Sequence, residues 1–311
     1  MTKVNMQQKT HKFHFIKWLW NRALFFLLLI VVIRSESLPA QIMTVRDLLA
    51  IPPTPADYKI CYGNYPYQFG ELRLPEGAGP HPVLIIIHGG CWLAEYDLQH
   101  ISPLATELTK AGFATWSLEY RRLGNEGGGW PGTFQDVALG ADFIKEIAKK
   151  HPLDLKRIIA LGHSAGGHLV LWLAARPRLP KESLLYKSDP LALQGVISLA
   201  GIADLSRPEF QVVCGNVVPE LMGGKPSDFP ERYAQGSPRE LLPLHVPQIL
   251  IQGAKDPTVS LSSAEDYYAT AKASGDKVRL VVIQEAGHFE LVIPFTSAWP
   301  EVRKAVLSLV E

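Results

Sequence analysis

The stretch RIIALGHSAGGHLVLWLAA, residues 157–175, joins a short apolar run to a helix-like run through a turn crowded with small residues. In that turn Gly162, Ala165 and Gly166 surround a single serine, Ser164, in the pattern G-x-S-x-G. Between a strand and a helix this pattern is typical of a nucleophile elbow, whose strained turn lifts the serine hydroxyl above the sheet. A glycine-rich connection with an incidental serine is the alternative, but a strand and a helix are both predicted here, which favours the elbow.

The rest of the chain alternates short apolar runs with amphipathic runs. This alternation indicates βαβ units and hence an α/β fold, a mostly parallel sheet with helices on both faces and an early antiparallel hairpin at its edge. The predicted strands are residues 69–75, 83–87, 113–120, 157–162, 195–201, 247–253 and 277–284, and the predicted helices are residues 101–112, 133–151, 164–175, 262–275 and 297–310.

One segment interrupts the alternation. Residues 204–246 are rich in proline and glycine and contain only short helical pieces. They lie between two predicted strands, at the end of the sheet where ligands bind in folds of this kind. We expect a small insertion there that forms a lid or a pocket wall.

The first forty residues differ from the remainder. Several lysines precede the apolar run ALFFLLLIVVI at residues 23–33, and a polar stretch ending in small residues follows it. The pattern predicts a signal peptide over residues 1–40, cleaved near Ser37 or Ala40, and a folded domain over residues 41–311. The run is shorter than the ~20 residues of an ordinary membrane span. An uncleaved N-terminal membrane anchor is the alternative, so we expect a periplasmic, secreted or membrane-anchored protein.

Composition excludes several classes of function. The 311 residues carry a formal net charge of +1, which gives no electrostatic reason to expect nucleic acid as a partner. The sequence has no zinc-type spacing, no phosphate-binding loop and no dinucleotide-binding motif, so no metal and no cofactor is predicted. Three cysteines are present, Cys61, Cys91 and Cys214. Buried free thiols are the default expectation, with a Cys61–Cys214 bridge as the alternative.

A serine hydroxyl needs a base to become a nucleophile, and the base needs a carboxylate to orient it. In a fold of this type the order along the chain is serine, acid, histidine. Asp256 follows the strand predicted at residues 247–253, and His288 follows the next one, so both loops are expected at the edge that carries Ser164. Asp204 also follows a strand and is the second candidate for the acid.

Acyl transfer further needs donors for the developing oxyanion. The segment HGGCW, residues 88–92, follows a strand, and its glycines allow backbone N–H groups to approach a substrate. We expect the N–H groups of Gly89, Gly90 and Ala165 to form the oxyanion hole, with Cys91 as a further candidate donor. The ring of Trp92 is the candidate substrate contact. His163 and His168, which flank the serine, are interpreted as packing or hydrogen-bonding residues.

These motifs together resemble the α/β-hydrolase superfamily, in particular its HGG-type carboxylesterases, feruloyl-esterase-like enzymes and kynurenine formamidases. The resemblance runs from about residue 58 to the C-terminus and includes HGGCW, EYRR at residues 119–122, WPGTFQDV at residues 130–137 and GHSAGGHL at residues 162–169. It implies a Ser164–Asp256–His288 triad, no cofactor and a structural role for Asp204. The sequence departs from the common HGGG at Cys91, whose side chain must point away from the substrate if its N–H is a donor.

The sequence therefore predicts an exported serine hydrolase that cleaves a carboxylic ester through an acyl-enzyme intermediate. An arylformamidase, another amidase or a peptidase of the same fold is the first alternative, because ester and amide cleavage share the same residues. A catalytically inactive binding protein is the second. In either enzymatic case the expected partner is a small-molecule ester or amide.

Overall fold

The structure is a computed structural model and describes residues 42–310. Within them a single sheet runs in the order β1-β2-β4-β3-β5-β6-β7-β8. The first two strands in this order, β1 and β2, pair antiparallel with each other, and β2 also pairs antiparallel with β4. Every further pair in the sheet is parallel. This is the predicted α/β fold, edge hairpin included. The strands are β1 (Tyr58–Cys61), β2 (Phe69–Arg73), β3 (His81–Ile87), β4 (Ala114–Leu118), β5 (Leu153–His163), β6 (Gly195–Leu199), β7 (Gln248–Gly253) and β8 (Val278–Ile283).

Helices cover both faces of the sheet, and short 3-10 turns occur in the connections. The helices of the described residues are α1 (Val45–Leu49), α2 (Ser102–Lys110), α3 (Gly132–Asp142), α4 (Ile144–Ile147), α5 (Ala165–Ala175), α6 (Val217–Met222), α7 (Pro230–Gly236), α8 (Leu261–Ala273) and α9 (Trp299–Leu307).

The helix predicted over residues 133–151 was wrong in length. It is divided into α3 and α4, and the chain turns after Ile147. Pro152 explains the early end, because a proline disfavours the helical conformation of the residue before it. The next strand, β5, consequently begins at Leu153, where it pairs with His81 of β3, rather than at Arg157 as predicted.

The central strands are apolar on both faces because helices cover both. In β3 the side chains from Val83 to Ile87 are fully buried, as expected for a continuous apolar run in a parallel sheet. Their alternate residues divide between two packed layers. One layer holds the large rings Trp116, Phe134 and Trp172. The other holds smaller residues from β3, β7, α2 and α9, among them Ile86, Ile251, Leu104 and Val302.

The predicted insertion at residues 204–246 lies between β6 and β7 and contains α6, α7 and two 3-10 turns. It also carries Cys214, which forms a disulfide with Cys91 in the HGGCW segment. Both cysteine expectations were therefore wrong: Cys61 keeps a free, exposed thiol, and Cys214 pairs with a different partner. The physical reason is the path of the insertion, which returns over the loop after β3, whereas Cys61 lies in the edge strand β1.

The predicted leader, residues 1–40, lies outside the described residues. Among residues 42–310, the structure contains no helix with the length and the continuous apolarity that a bilayer crossing requires.

Loss of the Cys91–Cys214 bond should destabilise the domain. The bond closes a loop with a sequence separation of 123 residues, and such a cross-link lowers the entropy of the unfolded chain. Replacing both cysteines with serine should reduce the free energy of unfolding by about 2–5 kcal/mol, measured by urea denaturation without reductant. Cys61→Ser is the matched control and should leave it unchanged. An unchanged free energy for the double variant would contradict the stabilising role of the bond.

Candidate active site

Ser164 lies on a sharp turn between β5 and α5. Its backbone angles are φ 53° and ψ −118°, a left-handed conformation that is rare for a residue with a side chain. The small neighbours are required by close contact. A Cβ on Gly162 would lie 2.2 Å from the carbonyl oxygen of Gly166, and a Cβ on Gly166 would lie 2.1 Å from that of Ile87 in β3. The geometry is that of a nucleophile elbow.

Asp256 and His288 are brought together by the loops after β7 and β8. Oδ2 of Asp256 lies 2.6 Å from Nδ1 of His288. The other carboxylate oxygen, Oδ1, accepts the N–H groups of Thr258 and Val259 at 2.7 and 2.9 Å. Burial raises the pKa of Asp256, but the hydrogen bond and charge of His288 and these two N–H groups outweigh burial and hold that pKa below its usual value. The carboxylate therefore stays ionised and fixes one nitrogen of the imidazole.

Ser164 is linked to Asp256 and His288 through the residue that precedes it in the chain, His163. The ring of His163 packs against the ring of His288, with centroids 4.5 Å apart. Among residues 42–310 no hydrogen bond joins the Ser164 hydroxyl to His288. In enzymes without substrate such a bond is often long and shortens only when the substrate binds. The structure thus places the three predicted residues at one edge of the sheet and joins two of them directly.

A chain of buried imidazoles supports the loop of His288. Nε2 of His163 lies 2.9 Å from the carbonyl oxygen of His288, and its Nδ1 lies 2.7 Å from Nε2 of His100. A carbonyl can only accept, so Nε2 of His163 carries the proton and its Nδ1 accepts one from His100. His163 therefore both packs and forms hydrogen bonds, the two roles that the sequence suggested for it. His100, in the 3-10 turn after the HGGCW segment, was not predicted, and no sequence pattern distinguishes it.

These buried histidines are held in their neutral form. Burial is the main cause, and it lowers the pKa of His163 to about 3 and that of His168 to about 4. Burial also lowers the pKa of His100 well below its ordinary value, aided by the charges of neighbouring histidines. Nε2 of His168 lies 2.8 Å from the carbonyl oxygen of Gly236, which can only accept, so Nε2 carries the proton and donates it.

The candidate oxyanion hole is formed by the loop after β3 and the start of α5. Among the described residues, the N–H groups of Gly89, Gly90, Cys91 and Ala165 donate no hydrogen bond. The loop keeps an unusual backbone, with φ values of 102° at Gly90, 54° at Cys91 and 55° at Trp92. This conformation leaves backbone donors available to a ligand.

Two side chains of this loop differ from expectation. The side chain of Cys91 forms a disulfide with Cys214 and is not a free thiol. The backbone N–H of Cys91 takes no part in that bond and stays available as a donor. Trp92 was expected to contact the substrate, but its side chain is only 1% exposed and meets His168 edge-on. The prediction for Trp92 was wrong because the left-handed backbone directs this ring into the core rather than to the surface.

A cluster of buried polar side chains holds the HGGCW loop in place. Nδ1 of His88 lies 2.7 Å from the carbonyl oxygen of Gly89, and its Nε2 lies 3.0 Å from Oε1 of Glu119. That carboxylate is also paired with Arg122, at 3.0 Å. The hydroxyl of Tyr120 donates to the carbonyl of His88 at 3.0 Å. The sequence showed these residues as HGG and EYRR, but it assigned no role to the second motif.

Asp204, the second candidate for the acid, is engaged elsewhere. Its carboxylate accepts the N–H and the hydroxyl of Ser206 at 2.9 and 2.6 Å and pairs with Arg239 at 3.5 Å. These contacts are structural and tie the start of the insertion to its end. Within residues 42–310 no cluster of three or more histidine, cysteine or acidic side chains is arranged to hold a metal ion.

Glu290, two residues after His288, connects the His288 loop to the start of the described chain. It is only 6% exposed. Its Oε2 accepts the N–H of Gly287 at 2.9 Å, and its Oε1 accepts the N–H of Met43 at 2.6 Å. The loop of His288 is therefore fixed from two sides, by His163 and by Glu290.

A cavity of about 760 Å³ lies beside Asp256, between the insertion and the loop after β7. The insertion contributes Glu209, two valines and the disulfide residue Cys214. The loop after β7 contributes three hydroxyl side chains. The lining residues are Glu209, Val212, Val213, Cys214, Asp256, Pro257, Thr258, Ser260 and Ser262.

The neutral buried histidines should make the domain lose stability in mild acid. The pKa of His163 is lower in the folded chain than in the unfolded chain. Below about pH 6.5 the unfolded chain therefore binds a proton at this residue, whereas the folded chain does not. Each such residue should lower the free energy of unfolding by about 1.4 kcal/mol per pH unit as the pH falls toward its folded pKa. Urea denaturation at a series of pH values between about 7.5 and 4.5 measures this slope.

His163→Gln should make that slope shallower by up to one proton, since glutamine keeps a donor for the His288 carbonyl but does not titrate. Equal slopes for wild type and His163→Gln would show that His163 is not held neutral.

Comparison with known proteins finds esterases among the relatives of this chain. The chain is 22% identical over 249 residues to a probable isoprenylcysteine alpha-carbonyl methylesterase of Arabidopsis thaliana, covering 75% of this chain and 51% of the relative. It is 24% identical over 197 residues to esterase LipQ of Mycobacterium tuberculosis, covering 62% and 46%. The chain thus spans about half the length of the curated relatives it matches.

Solved structures share the fold. A truncated form of a carbohydrate esterase from gut microbiota superposes with a TM-score of 0.70 at 20% identity, covering 83% of this chain and 97% of that one. Esterase B from Lactobacillus rhamnosis superposes with a TM-score of 0.72 at 17% identity, covering 85% and 91%. At this level of identity the likeness extends to the fold alone.

A family model matches a continuous part of the chain from β2 into α8. The matched residues, 71–270, include the HGGCW segment, Ser164 and Asp256, and they exclude only the edge strand β1, the last strand and the His288 loop from the described sheet and site. Because this match extends over well over half of the 311 residues, the chain belongs to the BD-FAE family.

Proposed function

We propose that this protein is a serine hydrolase that cleaves carboxylic esters through an acyl-enzyme. Ser164 attacks the ester carbonyl while His288 takes its proton. His288 then delivers the proton to the leaving alcohol, and a water molecule reverses the sequence to release the acid. Asp256 orients the imidazole and stabilises its charged form. The N–H groups of Gly89, Gly90 and Ala165, joined by that of Cys91, bind the oxyanion.

The observation that carries this proposal is the 2.6 Å contact between Asp256 and His288 beside the strained turn of Ser164. A structural histidine needs no buried, ionised carboxylate on one nitrogen. A structural serine needs no left-handed backbone, which costs about 1–3 kcal/mol. Free backbone donors at the same edge complete the requirements of acyl transfer. The esterase relatives support the same reaction class.

The hydroxyl side chains that line the cavity beside Asp256 support an alcohol portion that itself carries hydroxyl groups. Thr258, Ser260 and Ser262 line it together with the acidic Glu209. Such side chains offer hydrogen bonds to a sugar more readily than to an alkyl chain. The fold similarity to a carbohydrate esterase is consistent with this proposal.

We also propose that the protein acts outside the reducing cytoplasm. The leader-like composition of residues 1–40 motivated this expectation. The Cys91–Cys214 disulfide supports it, because disulfides persist in oxidising compartments and are rare in reducing ones.

Turnover of a panel of esters tests the reaction and its residues together. The panel contains 4-nitrophenyl esters of increasing chain length, feruloyl esters, acetylated sugars and N-formylkynurenine. Full-length wild type should hydrolyse at least one ester class, and Ser164→Ala should abolish turnover and labelling by a fluorophosphonate. Ser227→Ala, at an exposed serine, is the matched control and should match wild type. Turnover of N-formylkynurenine alone would replace the ester proposal with an amidase.

The two candidate acids are separated by a pair of variants. Asp256→Asn should lower kcat by roughly 10³–10⁴-fold, because the imidazole loses the partner that fixes its tautomer. Asp204→Asn should leave kcat within a few-fold of wild type, since its partners are Ser206 and Arg239. The reverse ranking would assign the acid to Asp204.

A further inference from the structure

Both ring nitrogens of His88 face groups that can only accept a hydrogen bond. Nδ1 lies 2.7 Å from the carbonyl oxygen of Gly89. Nε2 lies 3.0 Å from Oε1 of Glu119. A neutral imidazole has one donor and one acceptor nitrogen, so it would leave a lone pair pointing at one of these oxygens. Only the doubly protonated ring satisfies both contacts.

The surroundings of His88 suit a cation. Oε1 of Glu119 accepts the backbone N–H of Tyr120 at 2.9 Å and is paired with Arg122 at 3.0 Å, which keeps this carboxylate ionised. The ring of His88 stacks on the ring of Tyr120, with centroids 4.5 Å apart and an interplanar angle of 20°, and an aromatic face attracts a positive charge. His88 itself is fully buried, where a charge persists only with such a partner.

The charge is directed at the oxyanion hole through a single peptide group. The carbonyl of Gly89, which accepts from His88, belongs to the same peptide unit as the N–H of Gly90. Donation to the oxygen of an amide polarises its N–H and strengthens the hydrogen bond that this N–H donates. The preceding unit has the same arrangement, since Tyr120 donates to the carbonyl of His88 and the N–H belongs to Gly89. Burial raises the pKa of Tyr120, so its hydroxyl remains a neutral donor.

We propose that His88 is a doubly protonated imidazolium that polarises the Gly89–Gly90 peptide and so strengthens the oxyanion hole. It is a positioning residue that acts through Gly90 and does not touch the substrate. The groups that face it are Glu119, Arg122 and Tyr120 from the segment after β4, and the neutral His100 from the turn after its own loop. The kinetic consequence rests on the proposed ester hydrolysis, whereas the charge does not.

The charge state is read directly by ¹⁵N solid-state NMR on full-length protein labelled at its histidines. Each of the ten imidazoles reports whether both nitrogens carry protons. The resonances of His88 are identified by their loss in His88→Gln. Tyr120→Phe, which alters the stacked ring, identifies them should the first variant not fold. Two protonated nitrogens from about pH 7.5 to about pH 8.5, where ordinary histidines are neutral, would support the proposal. One bare nitrogen in this range would overturn it.

Two neutral replacements test the polarisation. In His88→Asn the amide nitrogen replaces the donor toward Gly89, and in His88→Gln it replaces the donor toward Glu119. We expect kcat to fall about 10–100-fold in His88→Gln and less in His88→Asn, with KM changed less than twofold, since a full oxyanion donor is worth roughly 10²–10³-fold. Thermal unfolding confirms that both variants are folded. Unchanged kcat in both, or a loss expressed only in KM, would overturn the polarising role.

The two proposals fail in distinguishable ways. A wild type without turnover on any ester would sink the hydrolase proposal, while the NMR result would still decide the charge of His88. Full turnover in wild type with a neutral His88 would sink the imidazolium alone.

Discussion

The left-handed backbone at Ser164 exists because three strands close around it. Ser164 donates its N–H to Leu199 of β6 at 2.8 Å, and Gly166 packs directly against the backbone of Ile87 in β3. A residue keeps such a strained conformation only where the hydrogen bonds and packing around it hold it there. The apolar centre of the sheet supplies that rigidity. The same turn starts α5, whose first N–H group, that of Ala165, is thereby left without an intrahelical partner.

Around this turn the domain uses buried histidines in two opposite ways. His100 and His163 contact each other, whereas His168 lies among aromatic rings. Burial keeps all three neutral and makes them directional hydrogen-bond partners. His88 lies equally deep but faces the carboxylate of Glu119. The same side chain thus serves as a neutral hydrogen-bond partner or carries a positive charge, depending on whether a carboxylate lies within hydrogen-bond distance.

Local patterns explain which features could be predicted from the sequence. The turn of Ser164, and the acid and histidine in successive βα loops, depend on neighbours in the chain and on strand order. Such local signals predicted the contact that Asp256 makes with His288. The Cys91–Cys214 pair and the burial of Trp92 depend on how an irregular insertion and a left-handed loop run, which no periodicity encodes. His100 reaches His163 across the sheet edge, a contact that only the tertiary structure reveals. Pro152 was a readable signal that the preceding helix had already ended.

The hydrogen bond from Met43 to Glu290 links the start of the described chain to the loop of His288, near its C-terminal end. A backbone N–H only a few residues past the leader-like segment satisfies a buried carboxylate that also holds the loop of His288. Ile42 packs against Gly287 of the same loop. Proteolytic removal of Met43 would take away the backbone N–H that Oε1 of Glu290 accepts, and the loop of His288 would lose that support. Any N-terminal boundary placed after Met43 would therefore weaken a loop at the opposite end of the sequence.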